Sequence, residues 1–276
     1  LSGTKQAQIL NNDLGLLCTY LKLGVNLIMP DSPGLGEQAL NKATEIGLSS
    51  QLDEVENLDV NIKTDPLKLV QGEVDAVTIQ GEGLVMQKDL RMEELEMQMT
   101  SVAINPLSMA FGKIELTKPT EAKALVVLTE TDINRAFNSE YVRSQLQTQK
   151  IHIKGELRTI NPQHIEFRLP GDGKIALNAS IKLVETGENQ QVAFSAVPRI
   201  SANGKTVALE NVEYGESEEI SPELTKAFID ETSEILNLNN FDLEGMNLQV
   251  NHLKVEVGKL TLQASAYIEK IPSASK

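Results

Sequence analysis

A single cysteine, Cys18, rules out a disulfide within the chain and leaves the redox compartment unread. Histidine is scarce: His152, His164 and His252 are its three copies in 276 residues. None has a second histidine at ligand spacing, and each falls in or beside an alternating segment, so exposed strand positions are expected rather than a metal centre. Tryptophan is absent and aromatics make up 4%, too few for a base-stacking surface. Positive charge is also short, with 25 Lys+Arg against 39 Asp+Glu and a net charge of −14. Nucleic acid is excluded as a partner, because phosphate binding needs clustered basic residues. Docking on anionic headgroups by charge is excluded for the same reason.

Catalytic motifs are missing too. No G-x-S-x-G elbow, H-E-x-x-H helix or phosphate-cradling loop occurs. Gly81-x-Gly83 and Gly171-x-Gly173 read as hairpin turns, since neither opens a helix. Acidic groups at Glu93, Glu94 and Glu96, and at Glu213, Glu216, Glu218 and Glu219, read as solvated faces. The second group also favours the N-terminus of the helix that follows. The chain is therefore expected to be no enzyme, with no cofactor and no metal.

Long apolar runs are few. Leu14–Met29 is shorter than the roughly 20 residues a membrane-spanning helix needs, and Lys22 and Asn26 interrupt it. It lacks the basic flank and small-residue cleavage site of a signal peptide. Residues 1–30 are expected to form a structured or interfacial N-terminal extension, and 31–276 a single domain. The origin of the Leu1 start stays open.

What the sequence does contain is alternation. Ile175, Leu177, Ala179, Ile181 and Leu183 share one phase; so do Leu95, Met97 and Met99, and Ile165, Phe167 and Leu169. Turn signals separate such runs at Gly81-Glu82-Gly83, Gly171-Asp172-Gly173, Gly187-Glu188-Asn189, Asn203-Gly204 and Gly258-Lys259. Met246, Leu248 and Val250 alternate in one phase and Leu253, Val255 and Val257 in the other, which predicts a bulge around Asn251-His252. The returning strand carries Leu260, Leu262, Ala264, Ala266 and Ile268.

Three stretches predict helices. Ser32-Pro33 is a cap and first-turn proline ahead of Leu35, Ala39, Ala43 and Ile46 on one face, with Gly47 as the stop. Thr129-Glu130-Thr131-Asp132 starts a helix carrying Ile133, Ala136 and Phe137, and Ser139 re-caps a turn with Tyr141, Val142 and Leu146. Ser221-Pro222-Glu223 opens a third, with Leu224, Ala227, Phe228, Ile235 and Leu236 toward a core. The expected fold is α+β: a strongly curved antiparallel sheet wrapped around helices, around an elongated apolar interior. Met86, Met92, Met97, Met99 and Met109 lie close in sequence. They suit irregular core packing, and equally a cavity that adapts to varied apolar guests.

From Leu35 onward the chain resembles the LmeA-like phospholipid-binding family, and most of all its cyanobacterial branch. The resemblance rests on Leu69-Val70-Gln71-Gly72-Glu73-Val74-Asp75, Ile79-Gln80-Gly81-Glu82-Gly83-Leu84-Val85 and Lys88-Asp89-Leu90-Arg91. It continues through Lys118-Pro119-Thr120 and the run Val126 to Phe137, then Gly171-Asp172-Gly173-Lys174 and Asp242-Leu243-Glu244-Gly245-Met246. It implies a fold similar to tubular lipid-binding (TULIP-like) domains, with a phospholipid as ligand, and it supplies no catalytic residues. Binding and transfer of lipid is the function expected, with a filled-core scaffold as the alternative. Transient membrane contact is expected, and a protein partner is left open. Members elsewhere are exported; without a signal segment, a cytoplasmic or membrane-peripheral location is favoured here and export stays open.

The residues expected to line the apolar cavity are Leu95, Met97, Met99, Phe137, Tyr141, Phe167, Leu177, Phe194, Phe228, Ile235, Met246, Leu248 and Val250. A half-wet sheet must bury its apolar face, and each helix offers one apolar stripe to cover it.

Overall fold

The computed structural model describes residues 37–50, 52–86, 88–105, 115–146, 150–153, 156–215, 221–235 and 245–270. Helix α1 (Glu37–Ser49) precedes strand β1 (Asn57–Lys63), and the short helix α2 (Pro66–Val70) leads into β2 (Glu73–Met86), β3 (Leu90–Ala103) and β4 (Thr120–Thr129). Two short helices follow, α3 (Glu130–Phe137) and α4 (Glu140–Leu146). Next come β5 (Lys150–Ile153), β6 (Glu156–Gly171), β7 (Lys174–Leu183), β8 (Asn189–Ile200) and β9 (Val207–Tyr214). Helix α5 (Pro222–Ile235) and the hairpin β10 (Met246–Glu256) and β11 (Lys259–Ile268) complete the described elements.

All named strand pairs are antiparallel, and the class is α+β. The strands form two open sheets rather than one continuous one: β1-β2-β3-β4-β11-β10 and β5-β6-β7-β8-β9. The cause is non-local. Strand β11 takes the free edge of β4 along its whole length, so the strands after α4 have no edge to extend and build a second sheet. The sheets touch where the Gly258 N–H donates to the Leu169 carbonyl at 2.9 Å and the Val250 N–H to the Gly204 carbonyl at 2.9 Å.

Helix α3 sits at this junction and closes an open strand edge with side chains. Along β6 the alternate residues Ile165, Phe167 and Leu169 turn their backbone groups away from β7. The Asn134 amide takes both groups of Phe167, accepting from its N–H at 2.8 Å and donating to its carbonyl at 2.7 Å. Asn138 does the same for Ile165, at 3.3 and 2.7 Å, and Glu130 accepts from the Leu169 N–H at 2.7 Å. The spacing matches because four helical residues rise about 6.0 Å and two strand residues about 6.6 Å. A primary amide carries the same donor and acceptor as a peptide group, so it substitutes for a strand partner.

The same device covers β1, the edge of the first sheet. Asn41 on α1 accepts from the Ile62 N–H at 2.9 Å and Glu45 from the Val60 N–H at 3.5 Å. This changes the expected face of α1. Thr44 and Leu48 are buried with Asn41 and Glu45 beside them, whereas Ile46 is exposed and Gly47 lies inside the helix. Edge coverage, not apolar periodicity, decided which face turned inward. Ser32, Pro33 and Leu35 lie outside the described residues.

The other helix starts agree with the sequence. Thr129 and Asp132 form a reciprocal capping box, the Ser139 hydroxyl accepts from the Val142 N–H at 3.1 Å, and the Ser221 hydroxyl accepts from the Leu224 N–H at 3.3 Å. The bulge in β10 falls between Val250 and His252. Gly81-Glu82-Gly83, by contrast, is no turn: β2 runs straight through it. A Cβ at Gly83, whose φ is +58°, would lie 2.3 Å from the Glu56 side chain, and one at Gly81 would lie 2.7 Å from Leu84. These glycines admit crossing side chains, and the chain reverses at Lys88, whose φ is 69°.

The edge closure predicts a large effect from two small changes. Asn134→Ala with Asn138→Ala leaves the backbone groups of Ile165 and Phe167 without partners and is expected to lower unfolding stability by about 2–4 kcal/mol. Chemical denaturation measures it. A change under about 0.5 kcal/mol would show that water replaces the amides.

Candidate functional site

Each sheet buries one apolar face. Across the first, the register aligns Val60, Ile79, Met97, Ala124, Ala264 and Val250 in one row. The next row holds Ile62, Val77, Met99, Ala122, Ala266 and Leu248. All twelve are buried. The middle of both rows is alanine, so the side chains on β4 and β11 are the shortest in these rows, between methionines on one side and Leu248 and Val250 on the other. Met86 and Met92 join the same cluster; Met109 lies outside the described residues.

Of the residues expected to line the interior, Leu95, Met97, Met99, Leu248 and Val250 fall in this first cluster, with Tyr141 packed against it. Phe167, Leu177 and Phe194 fall in a second cluster on the five-stranded sheet, with Phe228 packed against that one. Phe137 touches both, and its ring lies 6.1 Å from that of Phe167, tilted by 33°. The side chains of Ile235 and Met246 lie outside what the structure describes.

Sequence reasoning left Leu253, Val255 and Leu260 out of the site. Leu253 also packs against both clusters, Val255 belongs to the second, and Leu260 packs against it. Register explains why. Val250 faces Ala264, and beyond the bulge Leu253 faces Leu262 and Val255 faces Leu260. The extra residue therefore restores the apolar side chains to one face when the phase slips. From Leu248 to Val255, opposite Ala266 to Leu260, that face runs roughly 20 Å at strand spacing, from one sheet's core into the other's. The phase slip was legible, and its meaning for the site was the signal to follow.

Helix α3 is pinned to the first sheet by ion pairs. Asp132, 4% exposed, receives the Arg91 guanidinium at 3.0 Å, and Arg91 also reaches Glu93 at 2.6 Å and Glu56 at 2.7 Å. Its hydrogen bonds to Glu56, Glu93 and Asp132 hold the guanidinium above its ordinary pKa, against the opposing effect of burial. Arg135 holds the β2–β3 turn through Asp89 at 3.2 Å and the Lys88 carbonyl at 2.7 Å. These charges orient the helix, and every one of them is already partnered.

Two open grooves occur among the described residues. One, of about 510 Å³, is bordered by Glu166, Arg168, Asn178, Ser195 and Glu213 and also by Leu177, Phe194 and Tyr214, so two of the residues expected to line the interior border an open groove. Lys174 and then Ser195 hold the Glu213 carboxyl below its usual range. The other, of about 210 Å³, is bordered by Glu96, Gln98, Lys123, Asn251 and Gln263 together with Ala124, Leu125 and Ala264. Both are open and mixed in lining, unlike the enclosed apolar pocket that suits an acyl chain. His152, His164 and His252 are exposed. No group of carboxylate, histidine and cysteine ligands able to hold a metal occurs among the described residues. No helix among them is long and apolar enough to cross a membrane.

The model of the LmeA-like phospholipid-binding family matches residues 33–265. No curated protein and no solved structure matches the chain.

Two substitutions separate junction packing from surface decoration. Phe137→Ala removes a ring shared by both clusters and is expected to cost about 2–4 kcal/mol in a denaturant titration. Replacing His152, His164 and His252 together with Gln is expected to stay within about 0.5 kcal/mol, as exposed positions do.

Proposed function

The chain belongs to the LmeA-like phospholipid-binding family, and we propose that its inward apolar faces hold the acyl chains of a phospholipid without catalysing any reaction on it. The observation that carries this reading is the buried run of alanines Ala122, Ala124, Ala264 and Ala266, set between bulkier side chains and continued toward the second core by Leu253 and Val255. These small side chains in the middle of a wide sheet are proposed to give an acyl chain its track, with the flanking methionines and leucine as its walls. Leu95, Met97, Met99, Leu248, Val250, Phe137, Tyr141 and, at the far end, Phe167, Leu177, Phe194 and Phe228 are proposed to line that track. The roughly 20 Å apolar face of β10 exceeds the hydrocarbon depth of one leaflet, about half of 30 Å.

Such a site suits carriage. Each methylene moved out of water gains about 0.8 kcal/mol, so a lipid with two acyl chains is held firmly against release into water. Against a bilayer the gain is near zero, since both surroundings are apolar. Lipid then passes between protein and membrane without chemical energy.

One observation favours a second reading, a scaffold with a filled core. The Phe137–Phe167 contact packs the junction tightly. Native mass spectrometry of the purified protein, with extraction and identification of bound lipid, separates the two. Ala124→Phe and Ala264→Phe sharpen the test. With a lipid on this track, each is expected to abolish co-purifying lipid while the melting temperature holds. In a filled core each overpacks, costs about 1–3 kcal/mol and has no lipid to displace. That second outcome would end the carrier reading.

A further inference from the structure

Helix α2 carries two apolar side chains that the fold does not use. Leu67 is 75% exposed and Val70 79%. Three residues apart, they project from one side of this short helix, while Leu69 packs inward against the first cluster. Among the described residues, other exposed aliphatic side chains such as Ile46, Leu157, Val184 and Val257 stand at separate places in the chain.

The helix is held rigidly in this pose. Asp65 caps it, accepting from the Leu67 N–H at 2.8 Å, with Pro66 in the first turn. Thr64, 9% exposed, donates to the Glu73 carbonyl at 2.8 Å, and the Ile104 N–H donates to the Gly72 carbonyl at 2.8 Å. These bonds fix α2 at the end of the six-stranded sheet where β2 and β4 begin. The Asn105 N–H donates to the Glu115 carbonyl at 2.8 Å beside the same rim. The second sheet meets the first at the opposite end of β4, where the Gly258 N–H donates to the Leu169 carbonyl, and along β10, on the far side of the sheet from β2, where the Val250 N–H donates to the Gly204 carbonyl.

Two of the nearby lysines are paired with carboxylates. Lys68 pairs with Asp75 at 2.7 Å and Lys118 with Glu73 at 3.4 Å. Two aliphatic side chains fall far short of the roughly 800 Å² per partner that a stable protein interface buries. Insertion into a bilayer interface is graded with buried apolar area, so two aliphatic side chains support weak, reversible contact rather than stable anchoring.

We infer that Leu67 and Val70 form a membrane-docking wedge that inserts into the acyl boundary of a lipid bilayer by apolar contact, without needing anionic headgroups. The inference rests on the lipid-binding reading and adds the face through which lipid is exchanged. Leu69 links that face to the apolar interior, so a lipid leaving the bilayer beside α2 meets the first sheet's core directly.

The test is co-sedimentation of the full chain with phosphatidylcholine vesicles at about 0.15 M salt, repeated with part of the lipid replaced by phosphatidylglycerol. Wild type is expected to bind, with no gain from the anionic lipid. Leu67→Asp with Val70→Asp is expected to weaken binding by about tenfold or more. Ile46→Asp and Val184→Asp, at exposed sites away from α2, are expected to stay within about twofold. The double variant should keep its melting temperature and the amount of lipid that co-purifies, which separates loss of docking from loss of the carrier site. Vesicle binding by a protein that carries no lipid would leave the wedge standing and defeat the carrier reading alone. The wedge is overturned if the double variant binds like wild type or if Val184→Asp loses binding instead. It is also overturned if wild type fails to sediment, including the case where velocity sedimentation shows α2-dependent self-association.

Discussion

The arrangement depends on a helix that replaces a strand. Glu130, Asn134 and Asn138 lie along one line of α3, and that line supplies hydrogen bonds to Leu169, Phe167 and Ile165 of β6. An open strand edge invites pairing with another chain. Here the edge is closed by amides whose helical rise is commensurate with the strand's. The opposite side of the same helix is fixed to the first sheet by Asp132 and Arg91. One short helix therefore sets the relation between the two sheets where they meet, and with it the course of the apolar faces.

That course is what gives the alanine track its meaning. Had β10 kept an uninterrupted alternation, the apolar residues beyond Val250 would have turned to solvent. The bulge keeps Leu253 and Val255 on the buried side, and the hairpin tip then docks on Leu169 and Glu130 through Gly258. Phe137 and Leu253 stand at the crossing and pack against both clusters. Near the crossing, Asp132 pairs with Arg91 and Arg135 with Asp89, which fixes the helix against the first sheet.

Much of the candidate site was legible because burial in a strand follows period two. Leu95, Met97, Met99, Phe167, Leu177, Phe194, Leu248 and Val250 are buried as their alternation indicates. Their division between two cores was not legible, since it depends on β11 taking the edge of β4, a pairing between distant segments. Gly81 and Gly83 misled for a related reason. A glycine that makes a turn and a glycine that admits a neighbour's side chain look alike until Glu56 and Leu84 are in place.

The sequence by itself determined the features that residues settle within a few positions of one another. These are the capping box at Thr129 and Asp132, the re-capping at Ser139, the start at Ser221, the hairpins at Gly171-Asp172-Gly173, Asn203-Gly204 and Gly258, and the bulge after Val250. It also carried the family's imprint, across residues 33–265. Only the tertiary structure decided that there are two sheets, that Asn41 rather than Ile46 faces inward on α1, and that Asn134 and Asn138 serve as strand partners. In each case a polar side chain answered an unpaired backbone group far away in sequence. An unmet backbone hydrogen bond outweighs the gain from burying one more aliphatic side chain, and local periodicity carries no record of where such a group will lie.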